Sequence, residues 1–179
     1  MTQRHEASLE TGRLVLRSLE ETDLDDIVAE VNDFEVARML SRVPFPYSRD
    51  DGERFLAAVR RDQNDLTFAI TRDGKAIGCI GLTDVASTCE FGYWLGRAHW
   101  RQGLASEAAR AFLAFSFDGL GVETITSGVF ADNPASLRVQ EKLGFEQTGS
   151  SFRQSLARGH AVAHIDTALT RGRFAEAMR

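Results

Sequence analysis

Glu90-Phe91-Gly92-Tyr93-Trp94-Leu95-Gly96-Arg97-Ala98-His99-Trp100-Arg101-Gln102-Gly103-Leu104-Ala105-Ser106-Glu107-Ala108 reads as a strand, a basic glycine turn and a helix start in direct succession. Glu90 to Leu95 is an aromatic and aliphatic run of strand length, whereas Glu107 to Phe117 carries Ala108, Ala111, Phe112 and Phe115 at helical spacing. The first N–H groups of a helix have no intrahelical partner and sit at the positive end of its dipole. A glycine that lets backbone approach backbone therefore builds an anion cradle at Arg101, Gln102, Gly103, Leu104, Ala105 and Ser106. A diphosphate is the expected guest.

The next informative stretch follows by the length of one helix and one strand. Asn133-Pro134-Ala135-Ser136-Leu137-Arg138-Val139-Gln140-Glu141-Lys142-Leu143-Gly144-Phe145 combines an Asn N-cap, Pro at the first helical position, apolar residues at helical spacing and Gly just past the end.

Together these residues resemble the GNAT superfamily of acetyl-CoA-dependent N-acetyltransferases, in particular the branch related to the ribosomal-protein alanine acetyltransferases RimJ and RimL. Thr11-Gly12-Arg13-Leu14-Val15-Leu16-Arg17 with Glu21-Thr22-Asp23 is similar to that branch's opening strand and helix. Tyr93 to Gly96 and His99 to Ala105 are similar to its cofactor motif, and Asn133, Ser136, Lys142 and Gly144-Phe145 to its closing helix. Two positions depart from the superfamily pattern: Trp100 stands where Gln or Arg opens the glycine loop, and Gln140 where many relatives carry a tyrosine used as general acid. The resemblance implies an α/β fold with a mixed, mostly antiparallel sheet, flanking helices and a splayed strand pair that takes the pantetheine arm.

Composition agrees with one domain over residues 9–179 after a flexible tail at 1–8. A chain of 179 residues with 43% hydrophobic content suits a single core, which at this size buries about 70% of the unfolded surface. No apolar run approaches the roughly 20 residues needed to span a bilayer, and residues 1–10 are too polar for a secretory signal, so a cytoplasmic location is expected. Cys79 and Cys89 lack partners at metal-ligand spacing and read as buried free thiols. A formal charge of −5 disfavours nonspecific nucleic-acid binding and favours cationic substrates. The acidic run Glu20, Glu21, Asp23, Asp25, Asp26 and Glu30 reads as the solvated face of a first helix.

The remaining elements alternate. Arg13 to Ser18 is an expected strand, and Thr22 is placed to cap a helix with Leu24, Ile27, Val28 and Val31 on one face. Pro44 and Pro46 enforce an extended connection, then Ser48 and Asp51 form a capping box. Leu66 to Thr71 and Lys75 to Thr83 flank the hairpin dipeptide Asp73-Gly74. Strands at Glu123 to Phe130, Glu146 to Phe152 and Ala161 to Leu169 complete the sheet.

An amine must be neutral before it attacks a thioester. For a lysine-like pKa of about 10.4 that costs roughly 4.6 kcal/mol at pH 7, and for an α-amine of about 7.8 roughly 1 kcal/mol. Glu90 is the candidate base, since relatives in the resembled superfamily often carry a catalytic glutamate there, acting directly or through water. Backbone N–H groups near Tyr93, Trp94 and Leu95 are candidate oxyanion donors. Ser136, which resembles the serine of the RimL branch, is the candidate proton donor to the thiolate, with a local capping contact as its competing role. Asn133 caps its helix or bonds the pantetheine arm; Arg101 and Lys142 are the candidate phosphate partners. His99, His160 and His164 read as structural or surface residues, and no metal is expected. The expected function is acetyl-CoA-dependent transfer to a primary amine, either a protein N-terminus or a small molecule such as a polyamine or antibiotic, by a monomer or homodimer. A non-catalytic acyl-CoA sensor is the alternative.

Overall fold

The computed structural model describes residues 7–179. Of the tail expected at 1–8, residues 1–6 lie outside the described residues, while Ala7 packs against the core beside Leu9.

Eight strands form one sheet in the order β1-β2-β3-β4-β5-β6-β8-β7. They are β1 (Leu9–Glu10), β2 (Val15–Ser18), β3 (Leu66–Arg72), β4 (Lys75–Thr83), β5 (Glu90–Leu95), β6 (Thr124–Phe130), β7 (Glu146–Ser155) and β8 (His160–Thr170). Every neighbouring pair is antiparallel except β5 and β6. This is the mostly antiparallel α/β architecture expected from the sequence. Asp73 and Gly74 both have positive φ, as a two-residue type I′ hairpin between β3 and β4 demands.

Among the described residues, six α-helices flank the sheet: α1 (Leu24–Val31), α2 (Phe34–Ala37), α3 (Arg49–Arg61), α4 (Leu104–Gly119), α5 (Pro134–Lys142) and α6 (Arg171–Ala177). Helix α4 presses Ala108, Phe112 and Leu113 onto one face, where Phe68 meets Phe112 edge-on at 5.6 Å and Phe91 stacks on Phe145 at 5.9 Å. Helices α1 and α3 cover part of the other face through Leu24, Ile27 and Leu56 against Ala69, Ala76 and Cys79. The capping box at Ser48 and Asp51 forms: Asp51 N–H reaches Ser48 Oγ at 3.2 Å and Ser48 N–H reaches Asp51 Oδ2 at 2.8 Å.

Three local readings need correction. The first helix is not capped by Thr22: a short 3₁₀ turn at Glu21–Asp23 precedes it, and the Asp23 carboxylate accepts Glu20 N–H at 2.8 Å. The first long strand starts at Val15, because Arg13 is drawn away to partners near α4. The acidic run is more than a solvated face. Asp23 is buried in a bidentate pair with Arg17 at 2.7 and 2.8 Å, Asp26 accepts Ala76 N–H, and Glu30 meets His99. Both cysteines are buried and free.

Candidate active site

The decisive feature is where β5 and β6 part. Gly96 N–H bonds Ile77 O at 2.9 Å, so antiparallel alternation turns the backbone groups of Glu90, Gly92 and Trp94 toward β4 and those of Phe91, Tyr93 and Leu95 toward β6. The parallel ladder between β5 and β6 has one pair, Glu90 with Thr126. Ser127 Oγ then donates to Phe91 O at 2.9 Å, and Trp100 Nε1 donates to Leu95 O at 2.8 Å. Between these two ties, Tyr93 N–H and C=O and Leu95 N–H face a gap instead of a strand. Trp100, the departure from the superfamily pattern, thus closes one end of it. The gap belongs to a cleft of about 640 Å³ lined by both strands, the start of α4, much of α5 and the segment Met39–Ser41.

One end of the cleft is the glycine turn. Gly103 is the N-cap of α4 with φ 77° and ψ 1°, a left-handed conformation that favours glycine, and Arg101 is also left-handed with φ 60°. With no capping side chain, the N–H groups of Leu104, Ala105 and Ser106 are left for a ligand. Arg13, from the turn between β1 and β2, braces this turn: Nη1 donates to Gln102 O at 2.9 Å and Nε to Glu107 Oε2 at 2.8 Å. Desolvation pushes the Glu107 carboxyl up, but hydrogen bonds from Thr11 and Arg13 outweigh it and hold the group below its ordinary value. The one acid in the helix's first turn is thereby neutralised by Arg13 and does not oppose an anion. Arg101, Arg138 and Lys142 line the exposed rim.

Deeper in, Tyr93 Oη and Ser136 Oγ are 2.9 Å apart across the space between β5 and α5. Burial pushes the Tyr93 phenol up to about 12 against the opposing bond from Ser136. The cap of α5 is Asn133, whose Oδ1 accepts Ser136 N–H at 3.1 Å, so the serine hydroxyl is free of the capping task. Gln140 is fully buried: Nε2 donates to Ser127 Oγ at 2.9 Å and Oε1 accepts Thr167 Oγ1–H at 2.7 Å. With the bond from Ser127 to Phe91 O, this network fixes the point where the strands separate. Gln140→Leu should therefore cost about 1–3 kcal/mol by leaving buried hydroxyls short of partners, a fall in Tm of roughly 2–4 °C per kcal/mol. Thermal unfolding with an unchanged midpoint would dismiss the network as a stabilising element.

The opposite face of the gap is polar. Glu90 Oε1 accepts Arg153 Nη1–H at 2.9 Å. His164 lies beneath it in the same cleft, its Nδ1 2.8 Å from Asp166 Oδ1, which also accepts Ser151 Oγ–H at 2.9 Å. Desolvation raises the Asp166 carboxyl, but these two bonds and the charges of His164 and Arg153 bring it below its ordinary value. Trp94 borders this side, packed between the clusters under α1, α2 and α3.

The sequence profile of the acetyltransferase (GNAT) domain matches residues 13–146, from the Arg13 brace to the first residue of β7. The chain belongs to the GNAT acetyltransferase family. It is 34% identical over 148 residues to the Bacillus subtilis (strain 168) protein named uncharacterized N-acetyltransferase YoaA, covering 79% of this chain and 84% of the relative. Among solved structures, Mycobacterium smegmatis RimJ in complex with CoA-disulfide has the same fold, with a TM-score of 0.83, 18% identity and coverage of 98% and 97% of the two chains. Spermidine N-acetyltransferase from Vibrio cholerae, in complex with CoA and spermine, gives 0.79 at 22% identity over 92% and 99%.

Within this GNAT fold, the cleft lining includes Glu90, Tyr93, Trp94, Leu95, Arg101, Gly103, Leu104, Ala105, Ser106, Asn133, Ser136 and Lys142. Gln102 is not among them. Its side chain is spent inside the turn, donating to Ala98 O at 2.9 Å and accepting from Arg72 at 3.1 Å. Sequence reasoning missed Arg13, Arg138, Arg153 and the His164–Asp166 pair. The only local signal was the alternation that puts His164 and Asp166 on one face of a strand. Among the described residues, no group of three or more His, Cys, Asp or Glu side chains is arranged to hold a metal ion, and no helix is long and apolar enough to cross a membrane.

Proposed function

We propose that this chain is an acetyl-CoA-dependent N-acetyltransferase of the RimJ/RimL-like branch, acting in the cytoplasm on a primary amine by direct transfer within a ternary complex. The observation that carries this reading is the continuity of the cleft, which runs from the unpaired N–H groups of α4, along the open edge of β5, to the polar face at Glu90. Those parts fit the cosubstrate in order. Gly103 to Ser106 with Arg101 would hold the diphosphate, Arg138 and Lys142 on the rim its nucleotide end, and Tyr93 and Leu95 the amides of the pantetheine arm. Acetyl-CoA supplies an activated acyl carbon and a thiolate leaving group.

The chain's own groups do the rest. Tyr93 N–H, the unpaired donor nearer Glu90, is a fixed donor for the charge that grows on the acyl oxygen, while Leu95 N–H serves the pantetheine arm. The Tyr93–Ser136 pair provides a hydroxyl for the departing sulfur, and a phenol held near 12 keeps its proton and acts as a donor throughout the working pH range. Glu90 draws the cationic amine to the gap. Direct transfer is supported by the thiols: Cys79 and Cys89 are buried, their pKa raised by desolvation, and neither is among the residues lining the cleft.

Arg42 adds positive charge at the mouth of the polar face and opposes an acceptor with several positive charges, which favours a protein N-terminal α-amine over a polyamine. The test is an amine panel of α-amino peptides, spermidine and aminoglycosides scored by release of free CoA. Turnover is expected with the α-amines. Tight acetyl-CoA binding with no turnover across the panel would favour the non-catalytic acyl-CoA sensor.

A further inference from the structure

Two side chains on the polar face are chemically able to take a proton, and the structure distinguishes them. Register places Glu90 beside Thr126, Phe130 opposite His164 and Gly128 opposite Asp166, so Glu90, His164 and Asp166 share the face of the sheet turned away from α4. The Glu90 carboxylate already holds the Arg153 guanidinium at 2.9 Å, and protonating it would break that pair. His164 is arranged differently. An ionised carboxylate only accepts, so its bond to Asp166 requires a proton on Nδ1 and leaves the lone pair on Nε2. The Cε1–Nε2 edge of the ring packs against Gly128 of β6: Nε2 is 2.9 Å from the position a Cβ on Gly128 would take, and Cε1 is closer still. A side chain at 128 would push the ring out. Phe130 meets the ring edge-on at 5.9 Å, and the imidazole is 8% exposed. This is a base oriented by a carboxylate, largely shielded from bulk water and among the residues that line the cleft.

We propose that His164, held by Asp166, is the general base that deprotonates the acceptor amine, with Glu90 anchoring the ammonium beside it. The proposal rests on the acetyltransfer reading above. One N–H bond of the ammonium breaks and its proton passes to His164 Nε2. The freed lone pair forms the C–N bond as the C–S bond of the thioester breaks; the sulfur ends as a thiol, carrying the amine's second proton. Overall the ammonium and thioester give amide, thiol and one proton that His164 releases to solvent. The charged groups that touch the ring or line the cleft with it are Asp166 on its own strand, Arg153 from β7, Glu90 from β5 and Asp132 just past β6, the last paired with Arg158 from the turn between β7 and β8 and with Arg38 after α2.

The experiment compares wild type with His164→Gln, Asp166→Asn and Glu90→Gln, measuring kcat/KM by CoA release from pH 6 to 10 and acetyl-CoA affinity by calorimetry on the same preparations. His164→Gln should lose about 10²–10⁴ in kcat/KM near pH 7, keep its acetyl-CoA affinity, lose the rising limb that marks deprotonation of the imidazole, and recover as pH approaches the pKa of the amine. Asp166→Asn should lose activity in the same direction through the wrong tautomer, and it decides the matter if the His164 variant does not fold. A wild-type pH profile in a folded His164→Gln would overturn the assignment, as would loss of the rising limb in Glu90→Gln alone. Failure of the wild type itself to bind acetyl-CoA or turn over any amine would instead overturn the proposed function.

Discussion

Gly103→Val will weaken acetyl-CoA binding by about 5- to 150-fold, the equivalent of roughly 1–3 kcal/mol for polar groups that lose their partners. The cause is the backbone. A Cβ at 103 would meet nothing closer than Arg13 Nη2 at 3.6 Å, so space is available. The conformation is not, because a β-branched residue at φ 77° is strained by about 1–3 kcal/mol. Relief requires the turn to flip, which moves the N–H groups of Leu104, Ala105 and Ser106 off a common point and strains the Arg13 bond to Gln102 O. Calorimetry on a folded variant provides the check. Affinity equal to wild type would remove the anion cradle from the mechanism.

Tyr93→Phe will lower turnover by about 10²–10³, the range for deleting one fixed donor from a site of charge development, while leaving acetyl-CoA affinity nearly intact. The ring still packs on Phe91 at 5.8 Å, so only the hydroxyl is lost. Ser136→Ala should shift the same parameter in the same direction, because the two hydroxyls form one bonded pair. A lower melting temperature with normal turnover in both variants would reduce the pair to a structural tie. The phenol also sets a pH expectation. Its folded-state value is raised from 10.0 to about 12, so its contribution to stability is complete below pH 10 and is lost as pH rises from there toward 12. Alkaline unfolding of Tyr93→Phe should begin later than that of wild type.

The glycine turn at the start of α4 was legible because its parts are local. A helix start, its glycine and its first N–H groups lie within five residues of one another, and the same holds for the Ser48 capping box, the Asp73-Gly74 turn and the Asn133 cap. Each is specified by backbone geometry repeating over three or four positions, which a chain expresses wherever it lies in the fold. Gln140 was legible only as a departure. Its role as a buried tie between β6, β8 and α5 depends on Ser127 and Thr167, 13 and 27 residues away.

The short helices α2 and α6 were not anticipated, and both are too brief for an apolar period to repeat often enough to be read. What the residues determined by themselves was the order of the longer strands and helices, the glycine turn and the family likeness, since these follow from spacing and backbone preference. Tertiary structure alone decided which polar groups meet. Arg13 reaches Gln102 across 89 positions, Arg153 reaches Glu90 across 63, and Tyr93 finds Ser136 across 43. His164 acquires its setting when β6 brings Gly128 beneath the ring. A side chain's chemistry is set by the partner and solvent around it, and in a sheet whose strand order departs from chain order those neighbours come from packing.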